Sequence, residues 1–190
     1  MPTRQSQAPT SAPVSLAELK AHLRVTSPAE DDLLQSCIDV AIAEIDGAGL
    51  LGRAMMTAHY TLTCPPPAGI VPLEIGPAQD ITAISYVASD GALRNLVPSD
   101  FSLISDGEAA YVDGDWPSDM ARRPDALRIT YRAGFGDLPG AVPADLRHAV
   151  KLLAAHRFEV RDEVVIGTVA SAVPNGVERL INLHRVRFFG

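Results

Sequence analysis

The apolar residues of this chain change period twice. From Ser15 to about residue 48 they recur every three to four positions. From Thr57 to Ala133 they alternate, and from Pro143 to Arg161 the helical spacing returns. A helix shows one face every 3.6 residues and a strand alternates faces, so these periods dictate helices at both ends and strands between them. Strands in one continuous block, joined by short turns, pair antiparallel. Parallel pairing would need a crossover helix between successive strands. The predicted fold is therefore α+β: an N-terminal helical hairpin, a central antiparallel β meander, a long third helix and a C-terminal arm.

Local signals place the boundaries. Ser15-Leu-Ala-Glu18 has capping-box form and opens a helix over 15–25, with Leu16, Leu19 and Leu23 on one face. Ser27-Pro-Ala-Glu30 combines an N-cap, a proline at the first helical position and a third-position glutamate; it opens a helix over 28–48. Leu34, Cys37, Ile38, Ala41, Ile42 and Ile45 form its apolar stripe, and Gly47, Gly49 and Gly52 end it. In the β region, 57–133, strands are predicted at 59–63, 71–75, 81–87, 101–104, 109–112 and 127–132, separated by Pro, Gly and Asp turns. The third helix spans 143–161. Residues 15–165 then form one domain, 1–14 a flexible Pro/Ser/Thr/Gln-rich arm, and 166–190 a C-terminal arm.

The chain has 190 residues and a formal net charge of −7. That charge argues against a broad basic surface for wrapping nucleic acid. It does not exclude a channel that DNA passes through without sticking, where negative walls would help. No run of about 18 apolar residues predicts a membrane span, and the N-terminus has no secretory apolar core. Cys37 and Cys64 fall on inward positions and read as two buried thiols. No zinc-ligand spacing occurs, and no metal or cofactor is expected.

One segment admits a chemical reading. Gly134-Phe-Gly-Asp-Leu-Pro-Gly140 lies between a strand and a helix and loosely resembles a nucleotide-phosphate loop. Pro139 occupies the third-glycine place, the helix starts late, and the preceding strand is antiparallel. A structural corner is the better reading; a small nucleotide-binding enzyme is the alternative. His148 and His156 lie eight positions apart, about 12 Å along one helix, too far to share a metal. His22, His59 and His184 fall in separate elements, and no hydrolase or metalloprotease motif is present. No catalytic residue is assigned.

The C-terminal run is more informative. Val177, Leu180, Ile181, Leu183, Val186, Phe188 and Phe189 are apolar, and Arg179, Arg185 and Arg187 against Glu178 make it locally basic. It reads either as a segment folded back on its own domain or as an arm that docks on a partner. Arg185 to Phe189 alternates like a strand that could add to a foreign sheet edge.

Taken together, the ordered pieces resemble the head–tail connector (adaptor) proteins of long-tailed phages and gene transfer agents. They are 15–25, Glu30-Asp-Asp-Leu-Leu34, Gly52-Arg53, Ile84 to Gly91, Leu127 to Gly136, Val142 to Arg147, Ala154 to Arg161 and Pro174-Asn-Gly-Val177. The resemblance implies a non-catalytic ring, usually a dodecamer, beneath the portal of a virion or phage-like particle. Such a ring extends the DNA channel without specific DNA binding and meets the next tail component, a stopper or tail terminator. Assembly would occur in the bacterial cytoplasm, with no membrane partner. It also implies a portal-docking segment, assigned to Val177, Leu180, Ile181, Arg185, Val186, Arg187, Phe188 and Phe189. The subunit interface is expected on the second and third helices, at Leu34, Ile38, Lys151 and His156. A generic intracellular interaction domain outside any particle is the further alternative.

Overall fold

A computed structural model of the chain describes residues 2–105, 109–160 and 175–185. These fall into two compact units. One is a β unit from the described parts of Met1–Thr10 and Met56–Asp137; the other is a helical unit from those of Ser11–Met55 and Leu138–Gly190.

The β unit contains two antiparallel sheets. The first has five strands in the order β1 (Thr3–Gln7), β2 (Ala58–Cys64), β8 (Leu127–Ala133), β4 (Ala78–Val87) and β5 (Leu93–Leu96). The second has the order β3 (Val71–Leu73), β7 (Ala110–Asp113) and β6 (Ser102–Ser105). Among consecutive strands, β1–β2, β4–β5 and β6–β7 pair, whereas β2–β3, β3–β4, β5–β6 and β7–β8 do not. The predicted meander is thus interrupted, because β8 inserts between β2 and β4. Ala58, Tyr60, Leu62 and Cys64 of β2 and Leu127, Ile129, Tyr131 and Ala133 of β8 are buried, as their alternation requires. Tyr60 pairs with Tyr131 and Leu62 with Ile129 across the ladder. The two tyrosine rings lie 6.0 Å apart. On the opposite face the Thr61 and Thr130 hydroxyls meet at 3.2 Å. The Tyr131 hydroxyl accepts from the Ile75 N–H at 3.3 Å, and burial raises its pKa.

Two strands escape the sequence pattern. Thr3–Gln7, expected in a flexible arm, instead pairs with β2. A free strand edge offers backbone N–H and C=O groups to any extended segment, whatever its side chains. Leu93–Leu96 is a short, largely exposed edge strand that buries too little to alternate.

In the helical unit, α1 (Leu16–Leu23) starts at the predicted capping box. The Ser15 N–H donates to Glu18 Oε2 at 2.9 Å, and the Glu18 N–H donates to Ser15 Oγ at 3.3 Å. Arg24 closes this helix in the left-handed region at φ 59°. The second helix differs from expectation. Pro28–Glu30 forms a 3-10 turn, with Ser27 Oγ accepting from the Ala29 N–H, and α2 proper runs Asp31–Ile45. The helices α2 and α3 (Ala144–Glu159) pack through Leu34, Ile38, Ala41 and Ile45 against Leu146, Val150 and Leu153, all fully buried. Each large member contributes about 1.5–3 kcal/mol. Ion pairs Arg147–Glu18 and Arg157–Glu44 tie α3 to α1 and α2. Finally, α4 (Asn175–Asn182) lies against α3.

Candidate functional site

The glycine corner is built by backbone. Gly134 has φ 141°, and a Cβ there would stand 2.5 Å from the Met56 carbonyl carbon and oxygen. Its own N–H donates to Pro77 O at 2.9 Å, its carbonyl accepts from Gln79 Nε2 at 2.8 Å, and Gly136 O accepts from the Thr57 N–H at 3.0 Å. A phosphate cradle needs free N–H groups converging on one point. Here the Gly134 N–H is committed to the fold, and a 3-10 turn, Pro139–Ala141, separates the loop from α3. The nucleotide reading has no support in this geometry.

The titratable groups serve the packing. His22 and His148, assigned by sequence to separate elements, meet edge to face with ring centroids 5.9 Å apart. His184 reaches Asp145 at 2.7 Å. Burial of the Asp145 carboxyl opposes its ionisation, but the His184 hydrogen bond and charge outweigh that, and its pKa is lowered. Among the described residues no group of three His, Cys, Asp or Glu side chains could hold a metal ion. Cys37 and Cys64 are buried thiols, neither in a disulfide, and burial raises the pKa of Cys64.

The predicted docking residues divide. Val177 and Ile181 are buried, so they anchor α4 within its own unit and offer nothing to a partner. Leu180 is half-buried and Arg185 exposed. Val186, Arg187, Phe188 and Phe189 lie outside the described residues, as does most of the strand predicted at 185–189. The spacing of Val177, Leu180, Ile181 and His184 is itself helical, a signal that the overall apolarity of the run hid. Of the predicted interface residues, Lys151 and His156 are half-buried, whereas Leu34 and Ile38 have no accessible surface. They lie on the stripe of α2 that faces the unit's interior. The side of α2 that is available is the other one, where Leu33 and Val40 are 38% and 44% exposed.

No protein-family model and no curated protein sequence matches the chain. Solved structures do. A chain in the virion of a native gene transfer agent particle is 30% identical with a TM-score of 0.78, matching 100% of this chain and 98% of its own length. The chain belongs to the head–tail connector family of gene transfer agents. A chain from the neck of an empty gene transfer agent particle, computed with C6 symmetry, is 29% identical with a TM-score of 0.80 over the same coverage. One from a native neck computed with C12 symmetry, at 24% identity and a TM-score of 0.69, shares the fold. For this connector, a site is therefore an assembly surface. In the helical unit the exposed large apolar side chains among the described residues are Leu33 and Val40 on α2, Leu138 and Val160 on either side of α3, and Leu183 after α4.

Proposed function

We propose that the chain is a structural connector at the head–tail junction. On this reading copies close into a ring of twelve beneath the portal, line an extension of the DNA channel and present their far side to a stopper or tail terminator. The observation that carries it is the full-length likeness to a component of the gene transfer agent virion. The excess of carboxylates agrees with a conduit, since weak repulsion stops DNA from adhering. No catalytic step is assigned. Assembly takes place in the bacterial cytoplasm before the tail joins.

Portal docking is assigned to the C-terminal end, with Leu180 and Arg185 as its members among the described residues. Val177 and Ile181 hold the base of that arm in place. Co-expression with the portal of the same gene cluster, followed by negative-stain imaging, tests the proposal. Ring-on-ring complexes are expected, and they should be lost when the chain ends before Leu183. Absence of binding to that portal overturns the connector role. Undiminished docking by the shortened chain overturns the arm assignment alone.

A further inference from the structure

We infer that the outward face of the second sheet is a protein-docking surface, and that it takes a basic partner with an apolar contact at its centre. This rests on the connector reading above, in which that partner is the tail-side component.

The register of the three strands fixes what this face carries. Val71, Leu73, Ala110 and Val112 are buried, so the residues alternating with them point the other way. Tyr111 lies opposite Pro72 of β3 and Ile104 of β6, and Asp113 lies opposite Ser102. Pro72, Tyr111 and Ile104 thus form an apolar row across the sheet, with Ile70 two positions before Pro72. Ile104 and Ile70 remain 51% and 56% exposed. Beside Ile70, Trp116 Nε1 donates to Gly69 O at 2.8 Å, and the indole stacks on Phe101 with ring centroids 4.7 Å apart. Gly114 permits that stack, since a Cβ there would stand 2.3 Å from the Phe101 ring. The solvated face of an antiparallel sheet is ordinarily polar. A tyrosine between exposed aliphatic side chains is instead the composition of an interface centre.

Charge names the partner. From Asn95 to Met120 the sequence carries Asp100, Asp106, Glu108, Asp113, Asp115 and Asp119, and no Lys, Arg or His. From Tyr60 to Pro77 the only charged residue is Glu74. All three strands of this sheet lie within those two segments. Asp119 is paired with Arg94, but Asp100, Asp113 and Asp115 are exposed and in no ion pair among the described residues. Such a rim repels a phosphate backbone, and it repels the same face of another copy. It attracts and orients a protein surface that sets lysines or arginines around an apolar side chain. Portal docking is assigned to the helical unit, which leaves this face of the β unit for the partner on the tail side.

Full-length rings assembled on the portal, titrated with the purified tail-side protein of the same gene cluster, test this. Ile104→Arg, and Asp113→Lys with Asp115→Lys, put positive charge on the face at exposed positions. A circular-dichroism melt verifies that each variant folds. Both should keep their portal rings and bind the tail-side protein at least about tenfold more weakly by surface plasmon resonance. Leu93→Arg, on the first sheet and 62% exposed in the wild type, is the control and should stay within about twofold of it. Wild-type affinity should fall as salt is raised. Undiminished binding by either variant, an equal loss in Leu93→Arg, salt-independent affinity, or wild-type portal rings that bind no tail-side protein overturns the inference and leaves portal docking standing. Loss of the rings themselves in both variants would make the face a contact between copies, and overturns it too. If the wild-type chain forms no ring on its portal, the connector reading fails, and this inference with it.

Discussion

Replacing Gly134 with alanine isolates what the glycine corner does. The added methyl would sit 2.5 Å from the Met56 carbonyl and 2.6 Å from the Thr57 nitrogen. These are backbone atoms and cannot swing aside as a side chain would. Ordinary contact begins near 3.4 Å, so the two segments must part by about 0.9 Å. That movement strains the Thr57–Gly136, Gly134–Pro77 and Gln79–Gly134 hydrogen bonds, each worth about 0.5–1.5 kcal/mol net. Holding a non-glycine residue at φ 141° costs about 1–3 kcal/mol more. A total loss of about 3 kcal/mol, partly relieved by relaxation, lowers the melting temperature of a chain this size by roughly 6–12 °C. Gly140→Ala is the control, since nothing lies within 4 Å of its added methyl. It should stay within about 1 kcal/mol of wild type. Thermal melts by circular dichroism and urea midpoints measure both. A Gly134→Ala melt within about 2 °C of wild type would refute the reasoning.

Substitutions at Glu18, Asp46 and Ile181 probe the helical unit further. Glu18→Ala removes the reciprocal half of the capping box and the Arg147 ion pair, and should cost about 1 kcal/mol by urea denaturation. Hydrogen bonds from the Ser15 N–H and hydroxyl, then the Arg147 and Lys151 charges, outweigh burial and hold the Glu18 carboxyl below its ordinary 4.5. Its contribution is therefore present above pH about 4.5 and lost as pH falls through the lower folded value, a slope that Glu18→Gln should reduce. Asp46 behaves in the opposite sense: burial raises its pKa despite the 2.7 Å hydrogen bond from the Met55 N–H. The native state then holds its proton longer, and stability falls as pH rises from 3.8 through the folded value. Asp46→Asn, which keeps the acceptor, should equal or exceed wild-type stability at pH 7. Asp46→Ala, which orphans the Met55 N–H, should lose about 1–3 kcal/mol. Ile181→Ala should cost about 2–4 kcal/mol and speed hydrogen exchange across 175–182, whereas the exposed Leu183→Ala should do neither. Equal exchange in both would mean that α4 is not anchored by its inward face.

Much of the local structure was legible because its causes are local. The capping box at Ser15 uses only neighbouring atoms, and the helix starts where that box predicts. The alternation in 58–64 and 127–133 appears because one face of each strand is buried. The site was harder to read. Leu34 and Ile38 were legible as an apolar stripe, but that stripe faces inward, and periodicity alone does not tell a subunit's interior from its interface. Val177 and Ile181 misled in the same way: their apolarity marked them for burial without naming the surface that buries them.

The order of residues by itself determined most of the helical and extended segments, though not Thr3–Gln7, Leu93–Leu96 or α4, because propensity, capping and period act over a few positions. Only the tertiary structure decided that β8 lies between β2 and β4, that Thr3–Gln7 becomes an edge strand, and that His22 meets His148 and His184 meets Asp145. Those pairings join residues far apart in the chain through backbone hydrogen bonds that are indifferent to side-chain identity, or through contacts set once the helices dock.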